Sequence, residues 1–92
     1  MISSFRHKGL RRFHEENDIS GIRTDQAERL RRLLSLLDQI QAPQEANLPG
    51  LHLHALKGDL RGFWSVTVSG NWRVIFTMVD QNVANVDLVD YH

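Results

Sequence analysis

Two runs of alternating apolar and polar residues in the last third of the chain constrain its fold more than any other feature. The turn segment Ser69-Gly70-Asn71 separates them, and their apolar positions are Trp64, Val66 and Val68 before the turn and Trp72, Val74, Phe76 and Met78 after it. Alternation with a period of two is typical of strands that bury one face, and Gly-Asn suits a tight hairpin turn. The segment therefore predicts a β-hairpin.

Three further segments predict additional strands around this hairpin. A second turn at Asp80-Gln81-Asn82 leads into Val83 to Val89, which continues the meander as a third strand. Leu51 to Leu56 and residues 1–5 are further extended segments, although Pro43, Pro49 and Gly50 interrupt the chain before Leu51. We expect a mainly antiparallel sheet of four or five strands.

The first half of the chain predicts two helices. Residues 7–16 place Leu10, Phe13 and His14 at helical spacing, and residues 25–41 carry a longer leucine stripe that Thr24 or Asp25 can cap. Each helix has one apolar face to bury. We therefore expect an α+β fold in which two N-terminal helices pack on one face of the sheet.

Length and composition limit the classes of protein that this chain can form. Its 92 residues predict one domain, residues 1–92, with a single modest core. There is no cysteine, which excludes disulfides, thiolate metal ligands and cysteine nucleophiles. The sequence shows neither a signal-peptide pattern nor an apolar run of membrane-spanning length. We expect a soluble cytoplasmic protein that does not contact a membrane.

The zero net charge conceals an asymmetry between the two halves. Residues 1–36 carry eight Lys and Arg against five Asp and Glu, whereas residues 37–92 carry three against six. Arginine binds phosphates well, so the helices could contact nucleic acid, but solvated helix faces have the same composition. Charge alone leaves both readings open.

Several common site chemistries lack the residues that they need. His52 and His54 would point to the same face of a strand, but no further ligand with zinc-site spacing accompanies them. There is no phosphate-binding Gly-rich motif and no Gly-x-Ser-x-Gly nucleophile motif. We therefore expect neither a metal ion nor another cofactor.

Metal-free cleavage of RNA remains, because the required groups are present. Attack by a 2′-hydroxyl needs a base, cations for the phosphorane charge and a donor for the leaving 5′-oxygen. The side chains of these types are His54, Lys57, Arg73, Tyr91 and His92. Each has an ordinary structural explanation when taken singly, so together they raise a hypothesis only.

Five motifs extend across the chain and resemble one known family. They are Met-Ile-x-Ser-Phe at 1–5, Leu-x-x-Leu-Lys-Gly-Asp at 53–59, Phe-Trp-Ser-Val-Thr-Val at 63–68, Asn-Trp-Arg at 71–73 and Val-Asp-Tyr-His at 89–92. This pattern is similar to the HigB-type toxins of the RelE/ParE superfamily, also described as the plasmid maintenance system killer protein family. The resemblance implies a RelE-like fold and a ribosome-dependent endoribonuclease that cleaves messenger RNA in the decoding site. It also implies a helix-turn-helix antitoxin of the HigA type as partner.

The resemblance also implies a set of site residues. By motif position they are His54, Lys57, Asn71, Arg73, Asp90, Tyr91 and His92. We expect Lys57 and Arg73 to hold the scissile phosphate, Tyr91 to stack on a nucleotide, and His54 and His92 to share proton transfer. Asn71 would bind the RNA and Asp90 would orient a neighbour such as a histidine. Arg61, the only other base between Lys57 and Trp64, is expected to contact RNA; because arginine cannot readily transfer protons, His54 or His92 must supply any titrating group.

Two other classes of function stay open beside the ribonuclease. The first is a toxin of the same fold that acts without chemistry, for example as a gyrase poison. The second is a binding module without toxicity. If the ribonuclease hypothesis holds, we expect the arginine-rich helix segment around Arg29, Arg31 and Arg32 to contact ribosomal RNA.

Overall fold

The computed structural model describes residues 1–91 and contains two helices packed against a sheet. The helices are α1 (Lys8–Glu16) and α2 (Ala27–Leu37), and the strands are β1 (His54–Ala55), β2 (Trp64–Ser69), β3 (Trp72–Val79) and β4 (Asn82–Asp90). Short 3-10 turns at Thr24–Gln26, Pro43–Ala46 and Gly58–Leu60 lie in the connections. Neither α1 nor α2 is long and apolar enough to cross a membrane.

The sheet is an antiparallel meander with the strand order β1-β2-β3-β4. The N-terminal segment lies parallel to the outer edge of β4, where Ile2 pairs with Val83 and Phe5 pairs with Val86. These are isolated bridges, so the fifth strand exists only as two contact points. The predicted α+β class, with two helices on one face of the sheet, is confirmed.

One face of the sheet is covered by the helices. Its central residues are fully buried together with the helical leucines, and they are Val66, Val68, Val74, Phe76, Val83 and Val86. We call this side the covered face. We call the opposite side, which carries Ser65, Thr67, Arg73, Ile75 and Asp87, the open face, although Ser65 and Ile75 are themselves buried.

A bulge in β4 brings two valines of this strand to the core. The register between β3 and β4 shifts between Ile75 and Thr77, and Asn85 adopts a left-handed φ of 55°. Because one extra residue is inserted there, Val83 and Val86 both reach the covered face although they are three positions apart. Simple alternation would have placed them on opposite faces.

The boundaries of the predicted elements differ from the structure in two places. The predicted strand Leu51 to Leu56 is reduced to His54–Ala55, because His52 has a φ of 52° that breaks the extended conformation. The predicted cap of α2 by Thr24 or Asp25 is wrong: the helix begins at Ala27 without a side-chain cap, after a 3-10 turn. Asp25 instead receives two hydrogen bonds from Arg23, of 3.0 and 2.9 Å.

The first helix is fixed at its start by a histidine and along its side by a glycine contact. The Leu10 backbone N–H donates to Nδ1 of His7 at 3.0 Å, which satisfies one of the unpaired amides of the first turn. A methyl group on Gly9 would lie 2.5 Å from the carbonyl oxygen of Gly21. Only glycine permits this approach, which holds the connection between α1 and α2 against the helix.

Candidate active site

The candidate residues gather around the turn between β2 and β3. Gly70 has a φ of 53° in this turn, which glycine adopts without strain. The pairing of β3 with β4 extends to the start of β3, so the end of β4 lies beside Asn71 and Trp72. The hairpin predicted from the alternating pattern thus brings distant parts of the sequence to one end of the sheet.

Arg73 and Tyr91 form the best-defined contact of the site. Arg73 Nη1 donates to the carbonyl oxygens of Gly70 at 2.8 Å and Trp72 at 3.0 Å. Its guanidinium carbon lies 5.9 Å from the centre of the Tyr91 ring, within the range of a cation–π contact. The turn therefore aims a fixed cation and an aromatic ring at the same part of the open face.

Asn71 ties the end of the chain to this turn. The Tyr91 backbone N–H donates to the Asn71 carbonyl oxygen at 2.8 Å. The Asn71 side chain is exposed beside it and can reach a bound ligand. Tyr91 is accordingly held by its backbone as well as by its ring, while 39% of the residue stays exposed.

His54 lies on the open face at some distance from Arg73. His54 pairs with Ser65, and Ser65 pairs with Ile75, which is two residues from Arg73 on the same side of β3. Strand geometry puts His54 about 10 Å from Arg73 across the sheet and about 7 Å along it. His54 is exposed, so its ring is accessible to a substrate that spans this gap.

Two further candidates lie in the connection between β1 and β2. Lys57 precedes the 3-10 turn Gly58–Leu60 and Arg61 follows it, and both side chains are exposed. The Leu56 N–H donates to the Phe63 carbonyl at 2.9 Å, so the connection closes as a compact loop next to His54. It presents two cations at the side of the open face that His54 occupies.

Asp90 lies on the other side of the strands from Arg73. It is the register partner of Trp72, and directly paired residues point to the same face of a sheet. Arg73 and Tyr91 follow Trp72 and Asp90 by one residue and point to the opposite face. The remaining candidate, His92, lies outside the described residues.

The sequence prediction did not include Arg6, which also belongs to the open face. Its Nε lies 3.9 Å from the Asp87 carboxylate, and its guanidinium lies 5.5 Å from the centre of the Phe63 ring. Phe63 lies two residues before Ser65, so the alternating pattern predicts that both point to the same face of the sheet. Arg6 could have been found only from the pairing of residues 1–5 with β4.

The candidate residues lie at the surface: Arg73 is half-buried and the other described candidates are exposed. A cavity of about 550 Å³ lies elsewhere, between α2 and residues 48–51, and none of the candidate site residues lines it. Within residues 1–91, no cluster of three or more His, Asp or Glu side chains could hold a metal ion. An exposed surface with cations and an aromatic ring suits a polymeric anion better than an enclosed small molecule.

The helix arginines Arg29, Arg31 and Arg32 all make contacts within the chain. Arg29 Nη1 donates to the Val68 carbonyl at 2.6 Å, at the edge of β2. Arg31 donates to Asn17 Oδ1 at 2.7 Å and lies 4.7 Å from the centre of the Phe13 ring. Arg32 is 77% exposed and approaches Glu28 at 4.0 Å. Two of the three residues therefore hold the fold together.

Known proteins share both this sequence pattern and this fold. The family model for the RelE-like toxin of the type II toxin-antitoxin system HigB matches residues 3–92. The chain is 37% identical over 92 residues to Endoribonuclease HigB of Proteus vulgaris, covering 100% of both chains. It is 32% identical over 90 residues to Toxin HigB-1 of Vibrio cholerae serotype O1, covering 96% of this chain and 95% of the relative.

Solved structures agree on the fold at low sequence identity. The YoeB-YefM complex from Staphylococcus aureus contains a chain with a TM-score of 0.63 and 19% identity, covering 100% of this chain and 95% of that one. YafQ from E. coli gives a TM-score of 0.61 at 16% identity, covering 98% and 91%. The family match over residues 3–92 and the identity to the two HigB relatives lead to one assignment: the chain belongs to the HigB-like toxins, the RelE-like toxins of type II toxin-antitoxin systems.

Proposed function

We propose that this toxin is an endoribonuclease that cleaves messenger RNA in the decoding site of the ribosome. Residues 1–92 would act as one domain, in the cytoplasm and without a metal ion. Membership in a toxin-antitoxin family implies an antitoxin partner, and we propose a helix-turn-helix protein of the HigA type. The relative from Proteus vulgaris carries the name endoribonuclease. The observation that carries the proposal is the contact of Arg73 with Tyr91 on the open face, the face that also presents His54.

Arg73 is proposed to bind the scissile phosphate. Gly70 and Trp72 already orient its guanidinium through their carbonyl oxygens, so little reorganisation is needed when charge develops on the phosphorane. A fork of donors also matches the geometry of two phosphate oxygens. Lys57 would supply a second cation from the side of His54, and Arg61 would contact the RNA beyond it.

Tyr91 is proposed to stack on a base next to the cleaved bond. Unpaired bases are commonly recognised by exposed aromatic rings, and this ring is partly exposed and held in place. The neighbouring Asn71 side chain would hydrogen-bond to the same RNA segment. Stacking at this position would place the sugar and its 2′-hydroxyl over the open face between Tyr91 and His54.

Proton transfer is proposed to be shared by His54 and His92. Imidazole exchanges protons near neutral pH, whereas a guanidinium group cannot readily transfer a proton. One histidine would accept the 2′-hydroxyl proton and the other would protonate the leaving 5′-oxygen. Asp90 would orient a neighbouring group from the opposite side of the strand end. The products would be a 2′,3′-cyclic phosphate and a 5′-hydroxyl.

The test is a cleavage assay with purified toxin and ribosomes that carry a defined message, followed by mapping of the RNA ends. We expect cuts within the decoding site, cyclic-phosphate ends and no requirement for added metal beyond that needed by the ribosome. Ends with a 5′-phosphate would contradict the 2′-hydroxyl mechanism. An intact message together with inhibition of DNA supercoiling would instead indicate a non-enzymatic toxin of the same fold, and normal growth after induction without antitoxin would indicate a binding module.

A further inference from the structure

Arg23, in the connection between α1 and α2, lies behind the strand ends that carry the site. Its guanidinium carbon is 6.0 Å from the centre of the Trp72 ring. Trp72 and Asp90 form the last register pair between β3 and β4, and Arg73 and Tyr91 follow them by one residue. A contact with this pair therefore acts on the backbone that immediately precedes both open-face residues.

The guanidinium of Arg23 is itself held in a defined orientation. Its Nε donates to Asp25 Oδ1 at 3.0 Å and its Nη2 donates to Asp25 Oδ2 at 2.9 Å. The pKa of Arg23 is raised above its usual value, mainly by the hydrogen bond and charge of Asp25 and additionally by the negative charge of Asp90. Arg23 is thus positioned by one carboxylate and attracted by a second at the end of β4.

The backbone around Arg23 is also restrained. The close approach of Gly9 to Gly21 anchors the connection two residues before Arg23, and Ile22 packs against the hydrophobic core. The residues just before Arg23 are therefore anchored to α1 and to the core. Side-chain contacts from a rigid support restrict a strand end more than contacts from a mobile loop.

We propose that Arg23 is a positioning residue for the active site: by contacting Trp72 and attracting Asp90 from the covered side, it fixes the end of β4 and so the place of Tyr91 on the open face. The inference rests on the proposed ribonuclease function only for its catalytic consequence. Its structural consequence, a more firmly held strand end, does not depend on what the protein does. Arg23 does not contact the RNA in this proposal.

The first test measures the strand end directly. The Tyr91 amide donates to the Asn71 carbonyl, so its hydrogen exchange, followed by NMR, reports opening of this end. In Arg23→Ala we expect exchange at Tyr91 to be about threefold to tenfold faster, the effect of one exposed cation–π contact and one charge interaction. The matched control is Arg11→Ala, which removes an exposed arginine paired with Glu15 at 3.4 Å in α1. Equal exchange in the two variants would overturn the proposal.

The second test separates positioning from RNA binding. With ribosome-bound message we expect Arg23→Ala to lower kcat about threefold to tenfold while KM changes less than about twofold, because the ribosome holds the message and a misplaced Tyr91 misaligns the stacked nucleotide with the reacting groups. Arg23→Lys should recover part of kcat, since it keeps the charge but not the planar contact with Trp72. A rise in KM at constant kcat would overturn the proposal and indicate direct RNA contact.

The two readouts distinguish the failure of this inference from that of the proposed function. If the wild-type protein leaves RNA intact but Arg23→Ala exchanges the Tyr91 amide faster than wild type does, the ribonuclease is refuted and the positioning role is supported. An active enzyme whose Arg23→Ala and Arg11→Ala variants have the same kcat would refute the positioning role and leave the ribonuclease standing.

Discussion

The covered and open faces of the sheet are held in place by different forces. Val66, Val74 and Phe76 on the covered face have no exposed surface and are fixed by packing against α1 and α2. Arg73 on the open face is fixed by two carbonyl oxygens and an aromatic ring. Packing depends on volume and position, whereas the polar contacts depend on the path of the backbone. We therefore expect changes on the covered face to affect folding and changes on the open face to affect activity.

Phe76 tests the covered face with the largest expected effect on stability. Truncation of a fully buried phenylalanine leaves a cavity, so Phe76→Ala should lower the free energy of unfolding by about 3–5 kcal/mol. Denaturant titration followed by tryptophan fluorescence measures this change. Val79→Ala is a control in the same strand, because Val79 is exposed and its truncation should cost less than about 0.5 kcal/mol. Similar losses in both variants would contradict the role given to the covered face.

Arg73 tests the open face with the largest expected effect on activity. Removal of a preorganised cation from the phosphorane should reduce RNA cleavage about 100-fold to 1000-fold in Arg73→Ala. The free energy of unfolding should change little, because only hydrogen bonds at the surface are lost. Single-turnover cleavage on programmed ribosomes measures the rate, with Arg11→Ala as the matched control. Cleavage at the wild-type rate would remove Arg73 from the proposed site.

Tyr91 separates stacking from other roles for the end of β4. Tyr91→Ala should reduce cleavage about tenfold to a hundredfold, the value of one base on an aromatic ring. Tyr91→Phe keeps the ring over Arg73 and should retain most activity if stacking is the role. A Tyr91→Phe variant as impaired as Tyr91→Ala would assign the role to the hydroxyl group instead.

Deletion of residues 91–92 should abolish activity and leave the fold intact, as measured by thermal unfolding.

The alternating pattern predicted the covered face well because burial selects residue type directly. It placed Trp72, Val74 and Phe76 together and predicted the hairpin, while the helical spacing of apolar residues in the first half predicted the two helices and so the α+β class. It could not predict the bulge at Asn85: asparagine adopts a positive φ more often than most residues, but this tendency alone does not locate a bulge within a strand. It also missed the break at His52, which has the same cause.

The open face was predicted less completely because its contacts cross between distant segments. The family resemblance named Arg73 and Tyr91, and the structure brings these two into contact. It placed Asp90 in the same list, although the register puts Asp90 on the opposite side of the strands. Arg23 carries no local signal of its position behind Trp72, since an arginine in a polar connection resembles any other. The roles of the site residues stay predictions.

The helix arginines provide the smallest expected effects and test whether the helices bind ribosomal RNA. Arg29→Met removes the donor to the Val68 carbonyl and should cost about 1 kcal/mol in the free energy of unfolding. Arg32→Gln removes an exposed charge near Glu28 and should leave stability within about 0.5 kcal/mol. A triple replacement of Arg29, Arg31 and Arg32 would mix these effects, so single variants are needed.

If the helices contact RNA, Arg32→Gln should weaken ribosome binding and flatten its dependence on salt, because fewer counterions are released. Unchanged binding at several salt concentrations would identify Arg32 as part of a solvated helix face that does not contact RNA.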